Sequence, residues 1–149
     1  MKKAIFGAGC FWGPEENLSK VPGITNTEVG YCGGNNPKTS YEEVCTGKTN
    51  HAEVVKIEFD EKVISYEEII KLFFKLHDPT TFNRQGPDVG SQYRSVIFYN
   101  KKEEKIIAEK IKNNLNEELN GKIVTDISLE KNYCKAEEYH QKYIQKKSL

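Results

Sequence analysis

One cysteine and one glutamate stand out as residues that could do chemistry in this 149-residue chain. Cys10 sits in Gly9-Cys10-Phe11-Trp12-Gly13, a glycine-bounded loop holding the only tryptophan. Pro14 suits the first turn of a helix opening there, so Cys10 falls at a helix N-terminus. The unpaired N–H groups and positive end of such a helix favour thiolate over thiol. The expected pKa is therefore below the ~8.5 of free cysteine, the setting of a nucleophilic or redox thiol. Phe11 and Trp12 would give that thiol an apolar wall.

Glu53 lies in Ala52–Phe59, AEVVKIEF, which alternates with the period of a half-buried strand. Alternation puts Glu53 on one face with Val55, Ile57 and Phe59. Its carboxyl is then either open to water at a strand end or buried with a raised pKa. If buried, it is a neutral acid near pH 7, able to donate a proton. A third segment, GPDVGSQYRS at 86–95, packs polar groups into a loop before a strand, a common place for ligand contacts.

The other thiols, Cys32, Cys45 and Cys134, are too scattered to form the C-x-x-C hook of a zinc site, and His51, His77 and His140 add no H-x-x-x-H. No metal is expected. Cys45 reads as a small buried hydrophobe. His51 and His140 read as structural.

Charge narrows the function further. The 22 Lys and Arg balance 22 Asp and Glu, so there is no basic footprint for nucleic acid or an anionic membrane. Apolar runs are a few residues long, far short of the ~20 of a membrane-spanning helix. Ala4-Ile5-Phe6, broken by Gly7 and Gly9, is too short for the apolar core of a signal peptide. The expectation is a single domain over 1–149, in the cytoplasm, with reduced thiols.

The elements that must position these residues follow from periodicity and breakers. Strands are expected at 2–7, 24–31, 52–59, 94–99 and 123–129. A helix from Pro14 to about Lys20 ends at Pro22-Gly23, and a polar loop over 32–40 leads to one helical turn at 41–45. Ser65 and Glu68 form a capping box opening a helix to about His77, with Ile69, Ile70, Leu72, Phe73 and Leu76 on its apolar face. Another helix spans 101–119 with Ile106, Ile107, Ile111 and Leu115 at core spacing, closed by Gly121. A last helix is expected at 136–146. Strands and helices without regular βαβ repeats indicate α+β.

GCFWG followed by Glu15, GYCGG at 30–34, SYEEVCTGKTNHAEVV at 40–55, QGPDVGSQYRS at 85–95 and AEEYHQKY at 136–143 occur in this order over nearly the whole chain. In these motifs the sequence resembles the peptide methionine sulfoxide reductases of A type. The resemblance implies an α+β two-layer sandwich, a mixed, mostly antiparallel sheet with flanking helices on a ferredoxin-like core. It implies reduction of the S epimer of methionine sulfoxide, free or in proteins, without metal or bound cofactor. Cys10 would attack the sulfoxide sulfur and be left as a sulfenic acid. Phe11 and Trp12 would hold the substrate methyl group, Glu53 would protonate the departing oxygen, Tyr41 and Tyr93 would hydrogen-bond it, and Asp88 would contact the substrate backbone.

The sequence departs from the family at its recycling step. Many members carry a Gly-Tyr-Cys tail whose thiol resolves the sulfenic acid, whereas the last cysteine here is Cys134. Cys134, or Cys32 in the glycine-rich loop, would form a disulfide with Cys10; otherwise an external thiol reduces Cys10 directly. Thioredoxin or a glutaredoxin/glutathione system is the implied reductant, acting on a monomer. On the residues alone two other readings stay open: a cysteine hydrolase with His51 or His140 as base, and a methionine-binding or redox-sensing module.

Overall fold

The computed structural model describes residues 1–147. Strand β1 (Lys2–Ala8) leads into α1 (Trp12–Ser19), then β2 (Ile24–Cys32), the single turn α2 (Tyr41–Cys45) and β3 (Ala52–Phe59). Helix α3 (Tyr66–Lys75) is followed by a two-residue hairpin, β4 (Arg84–Gln85) and β5 (Asp88–Val89), and a 3-10 turn at Ser91–Tyr93. The chain continues through β6 (Ser95–Tyr99), α4 (Lys102–Glu118), β7 (Asp126–Leu129), β8 (Cys134–Lys135), a 3-10 turn at Glu138–His140 and α5 (Tyr143–Lys147).

Six strands form one sheet in the order β7-β6-β1-β3-β2-β8, with β6 and β7 parallel and every other pair antiparallel. Within it β1, β2, β3 and β6 alternate with α1 and α3 in the ferredoxin-like arrangement, so the expected α+β sandwich stands. Its main core joins Phe6, Val55, Ile57 and Phe59 of the sheet to Leu18, Ile69, Phe73 and Ile111 of the helices. Each such side chain removed from water contributes roughly 1.5–3 kcal/mol. The opposite sheet face is covered by a smaller cluster of Ile5, Cys32, Val54, Val96 and Phe98.

Helix α3 begins at the Ser65–Glu68 capping box, both reciprocal hydrogen bonds present, and its Phe73 ring packs 5.2 Å from Phe6. Helix α4 turns Ala108 and Ile111 inward, but Ile106 is exposed, contrary to the expected core stripe.

Two expected elements are shorter. The strand expected at 123–129 pairs only from Asp126. There Thr125 is drawn into a side-chain chain instead, bonded to Ser95, which bonds His77 at 2.7 Å. The helix expected over 136–146 is broken. Gln141 bonds the backbone N–H and C=O of Val29, satisfying that strand's edge from outside. Lys142 then takes φ +53 with its N–H on the buried Glu15, so the span holds only the 3-10 turn Glu138–His140 and the α-helix Tyr143–Lys147.

Candidate active site

The end of β1 and the start of β3 lie side by side, because Phe6 pairs with Val55. The loop after β1 therefore runs across Glu53. Gly9 permits the turn: its φ is +89, and a Cβ there would sit 2.7 Å from Gln85 of β4. Cys10 follows, half-buried, and α1 starts at Trp12.

Glu53 is 1% exposed, which decides between the two readings of its strand position. Its Oε1 accepts the Phe11 backbone N–H at 3.3 Å, whereas Oε2 is buried without a partner. Burial pushes the carboxyl up to about 8, against the lowering effect of the Phe11 N–H, and the Asp88 charge adds to the rise. Near neutral pH the carboxyl therefore favours its protonated form, and Oε1 already accepts the Phe11 N–H, which leaves Oε2 the oxygen free to hold the proton.

Cys10 departs from expectation. Burial pushes its thiol up to about 11; the Trp12 backbone N–H pulls the other way, and Glu53 and Asp88 raise it further. The helix-end effect is present, but desolvation and two carboxyls outweigh it. With Glu53 protonated its repulsion of a thiolate disappears.

Both phenols lie within reach of the Glu53 charge. Tyr93 ends the 3-10 turn, and burial with the charges of Glu53, Cys45, Asp88 and Cys10 pushes it up to about 12. Arg94 fixes that turn to the start of β3, donating to the carbonyls of Ser91 at 2.8 Å and Asn50 at 2.9 Å. Tyr41 opens α2; its phenol is raised by burial and by a hydrogen bond with Cys45. Both phenols stay protonated donors. Asp88 of β5 is half-buried and its charge reaches Cys10, Glu53 and Tyr93.

The aromatic wall is larger than the sequence suggested. Phe11 is buried, 5.8 Å from Tyr31 and 5.2 Å from His140. Trp12 is half-buried, stacked on Tyr143 at 3.8 Å, and its indole N–H donates to His140 Nδ1 at 3.1 Å. That bond fixes the tautomer: Nδ1 holds the lone pair, so the proton is on Nε2, which is buried without a partner. His140 is thus part of the wall, 4.6 Å from the Tyr41 ring. Only the AEEYHQKY segment hinted at it.

His51 is structural as expected. Its Nδ1 accepts the Gly34 N–H and its Nε2 donates to the Asn36 carbonyl at 2.7 Å. A Cβ on Gly34 would lie 2.3 Å from that imidazole, so the glycine loop and His51 interlock. Neither nitrogen is left to act as a hydrolase base.

Other thiols also differ from expectation. Cys45, expected in the core, is exposed beside Tyr41. Cys32 is not in a loop but ends β2, fully buried, with its Sγ donating to the Lys131 carbonyl. Cys134 is half-buried on β8, opposite Tyr31. Among the described residues no group of three His, Cys, Asp or Glu is placed to hold a metal ion, and no helix is long and apolar enough to cross a membrane. A cavity of about 590 Å³ lined by Arg94, Ser95, Lys112 and Thr125 borders none of Cys10, Glu53, Tyr41, Tyr93 or Asp88.

A thiol, a neutral carboxyl and two phenols beside an aromatic wall suit acid-assisted attack on a polar oxygen-bearing centre. The model of one protein family, peptide methionine sulfoxide reductase, matches residues 2–149. The chain belongs to this family. Among its reductase relatives, the peptide methionine sulfoxide reductase MsrA of Pelagibacter ubique (strain HTCC1062) is 58% identical over 147 residues, covering 99% of this chain and 100% of that protein. The reduced form of Mxr1 from Saccharomyces cerevisiae superposes with a TM-score of 0.94 at 40% identity, over 99% of this chain and 86% of that one. Mxr1 in complex with Trx2 matches with a TM-score of 0.68 at 28% identity, over 95% of this chain and 84% of that one. This member of the reductase family is a thiol-dependent oxidoreductase.

Proposed function

We propose that Cys10 reduces the S epimer of methionine sulfoxide, free or protein-bound, with Glu53 as the acid. Phe11 and Trp12 hold the methyl group, Tyr41 and Tyr93 hydrogen-bond the oxygen, and Asp88 contacts the substrate backbone. The Cys10 sulfur attacks the sulfoxide sulfur as Glu53 Oε2 gives its proton to the oxygen. An S–S bond to Cys10 forms; as the oxygen then shifts to the Cys10 sulfur, the S–S bond and the S–O bond to methionine break and an S–O bond to Cys10 forms. Methionine sulfur is reduced by two electrons, Cys10 becomes a sulfenic acid, and the proton lost from the thiol returns to Glu53.

The observation that carries this reading is the buried, unpartnered Glu53 Oε2 beside the Cys10 loop, on a carboxyl that burial pushes up to about 8. A sulfoxide oxygen leaves only if protonated, and a neutral acid with a free donor meets that need without a metal. An external thiol then reduces Cys10 directly: Cys32 is buried on the Lys131 carbonyl, and the Cys134 thiol is turned to the Thr39 and Lys135 carbonyls. Thioredoxin or a glutaredoxin/glutathione system is the reductant, in the cytoplasm and on a monomer; the Trx2 complex of the yeast relative supports the first choice.

Glu53→Gln tests the assignment. Single-turnover formation of methionine from a blocked methionine-S-sulfoxide should slow by about 10²–10⁴-fold, read by rapid quench. An unchanged rate would remove Glu53 as the acid.

A further inference from the structure

Glu137 lies between β8 and the last 3-10 turn and has no place in the chemistry above. Its carboxylate nevertheless spans two elements of the site. Oε1 accepts the Tyr31 hydroxyl at 2.8 Å, and Oε2 accepts the Tyr41 backbone N–H at 2.9 Å. Tyr31 is fully buried on β2, paired directly with Glu53 and packed under Phe11. Tyr41 opens α2, a helix of five residues whose own cap, Ser40, accepts the Glu43 N–H and donates to the Glu43 carboxylate, both within the same turn. One helical turn does not hold itself in water, so its orientation depends on outside anchors.

We infer that Glu137 is a positioning residue for the reaction: its carboxylate ties α2 to the strand residue opposite Glu53 and so sets the Tyr41 phenol against the sulfoxide oxygen. The inference rests on the sulfoxide-reductase reading of the site. The group is charged in this role. Burial raises it, but the Tyr41 N–H, its own backbone, the Tyr31 hydroxyl and His140 together hold it below the usual carboxylate range, and hydrogen bonds to an ionised acceptor are the stronger kind. The same segment carries His140, whose N–H bonds the Glu137 carbonyl at 2.9 Å and whose ring lies against Tyr41. That bond is made by the Glu137 backbone, so losing the side-chain carboxylate releases Tyr41 while His140 stays in the wall.

Glu137→Gln keeps the side-chain length but leaves one oxygen where two acceptors are needed. A double-mutant cycle with Tyr41→Phe on kcat/KM for a blocked methionine-S-sulfoxide separates positioning from general support. Glu137→Gln should lower kcat/KM about tenfold, chiefly through kcat, yet by less than about twofold in the Tyr41→Phe background. A merely structural role would lower the thermal midpoint and act equally in both backgrounds; equal losses overturn the inference. Should Glu137→Gln not fold, Tyr31→Phe removes the other anchor, and its loss should likewise vanish without the Tyr41 hydroxyl; an equal loss there is again contradictory. Wild-type turnover is the control for the function itself. Turnover with an additive cycle rejects only the role of Glu137, whereas no turnover rejects both.

Discussion

The Phe11 backbone N–H donates to Glu53 Oε1, leaving the second carboxyl oxygen buried without a partner. The residue after Cys10 thus holds the Glu53 carboxyl by one oxygen and leaves the other without a partner. The Cys10 thiol and the carboxyl are positioned by the same loop.

Glu53 makes stability depend on pH. Its folded-state pKa is raised from 4.5 to about 8. Below the lower value both states are protonated; between the two the unfolded chain ionises while the folded one keeps its proton. Stability is therefore lost as pH rises through that window, on the order of 5 kcal/mol in full. The thermal midpoint of Glu53→Gln relative to wild type should rise between pH 5 and 8 and then level off. A difference that stays flat from pH 5 to 9 contradicts the buried-acid assignment.

Cys10 should alkylate slowly at neutral pH. Peptide-resolved mass spectrometry with iodoacetamide should place its half-maximal rate near the thiol pKa of about 11. Glu53→Gln should lower that midpoint by removing a nearby charge, yet leave it above the ordinary 9.0, because burial is the larger cause. A wild-type midpoint near 8 would mean that the helix end governs the thiol after all.

Oxidation by one equivalent of sulfoxide, without reductant, should leave Cys10 trappable by dimedone. The buried Cys32 should remain a free thiol. A quantitative disulfide from Cys10 to Cys134 or Cys45 would replace direct external reduction with an internal resolving step.

The sequence carried much of this in local patterns. Alternation placed Glu53 with Val55, Ile57 and Phe59, and all four side chains are buried; Ser65 and Glu68 announced α3. What escaped was set by distant partners. The Cys10 pKa turns on burial and then on Glu53 and Asp88, 43 and 78 positions away in the chain. Cys45 looks like core, but one helical turn points it outward. The pattern at 136–146 favours helix, yet Gln141 and Glu15 take that backbone for β2 and α1 and break it at Lys142. His140 joins the wall only because that broken segment folds back over Trp12.

The most direct test of Cys10 and Glu53 as a sulfoxide-reducing pair is an epimer-resolved assay. Both epimers of a blocked methionine sulfoxide are supplied with dithiothreitol and followed by chiral chromatography. The S epimer should be consumed to methionine while the R epimer persists, and Cys10→Ser should consume neither. Consumption of the R epimer, of both at similar rates, or of the S epimer by Cys10→Ser would contradict it.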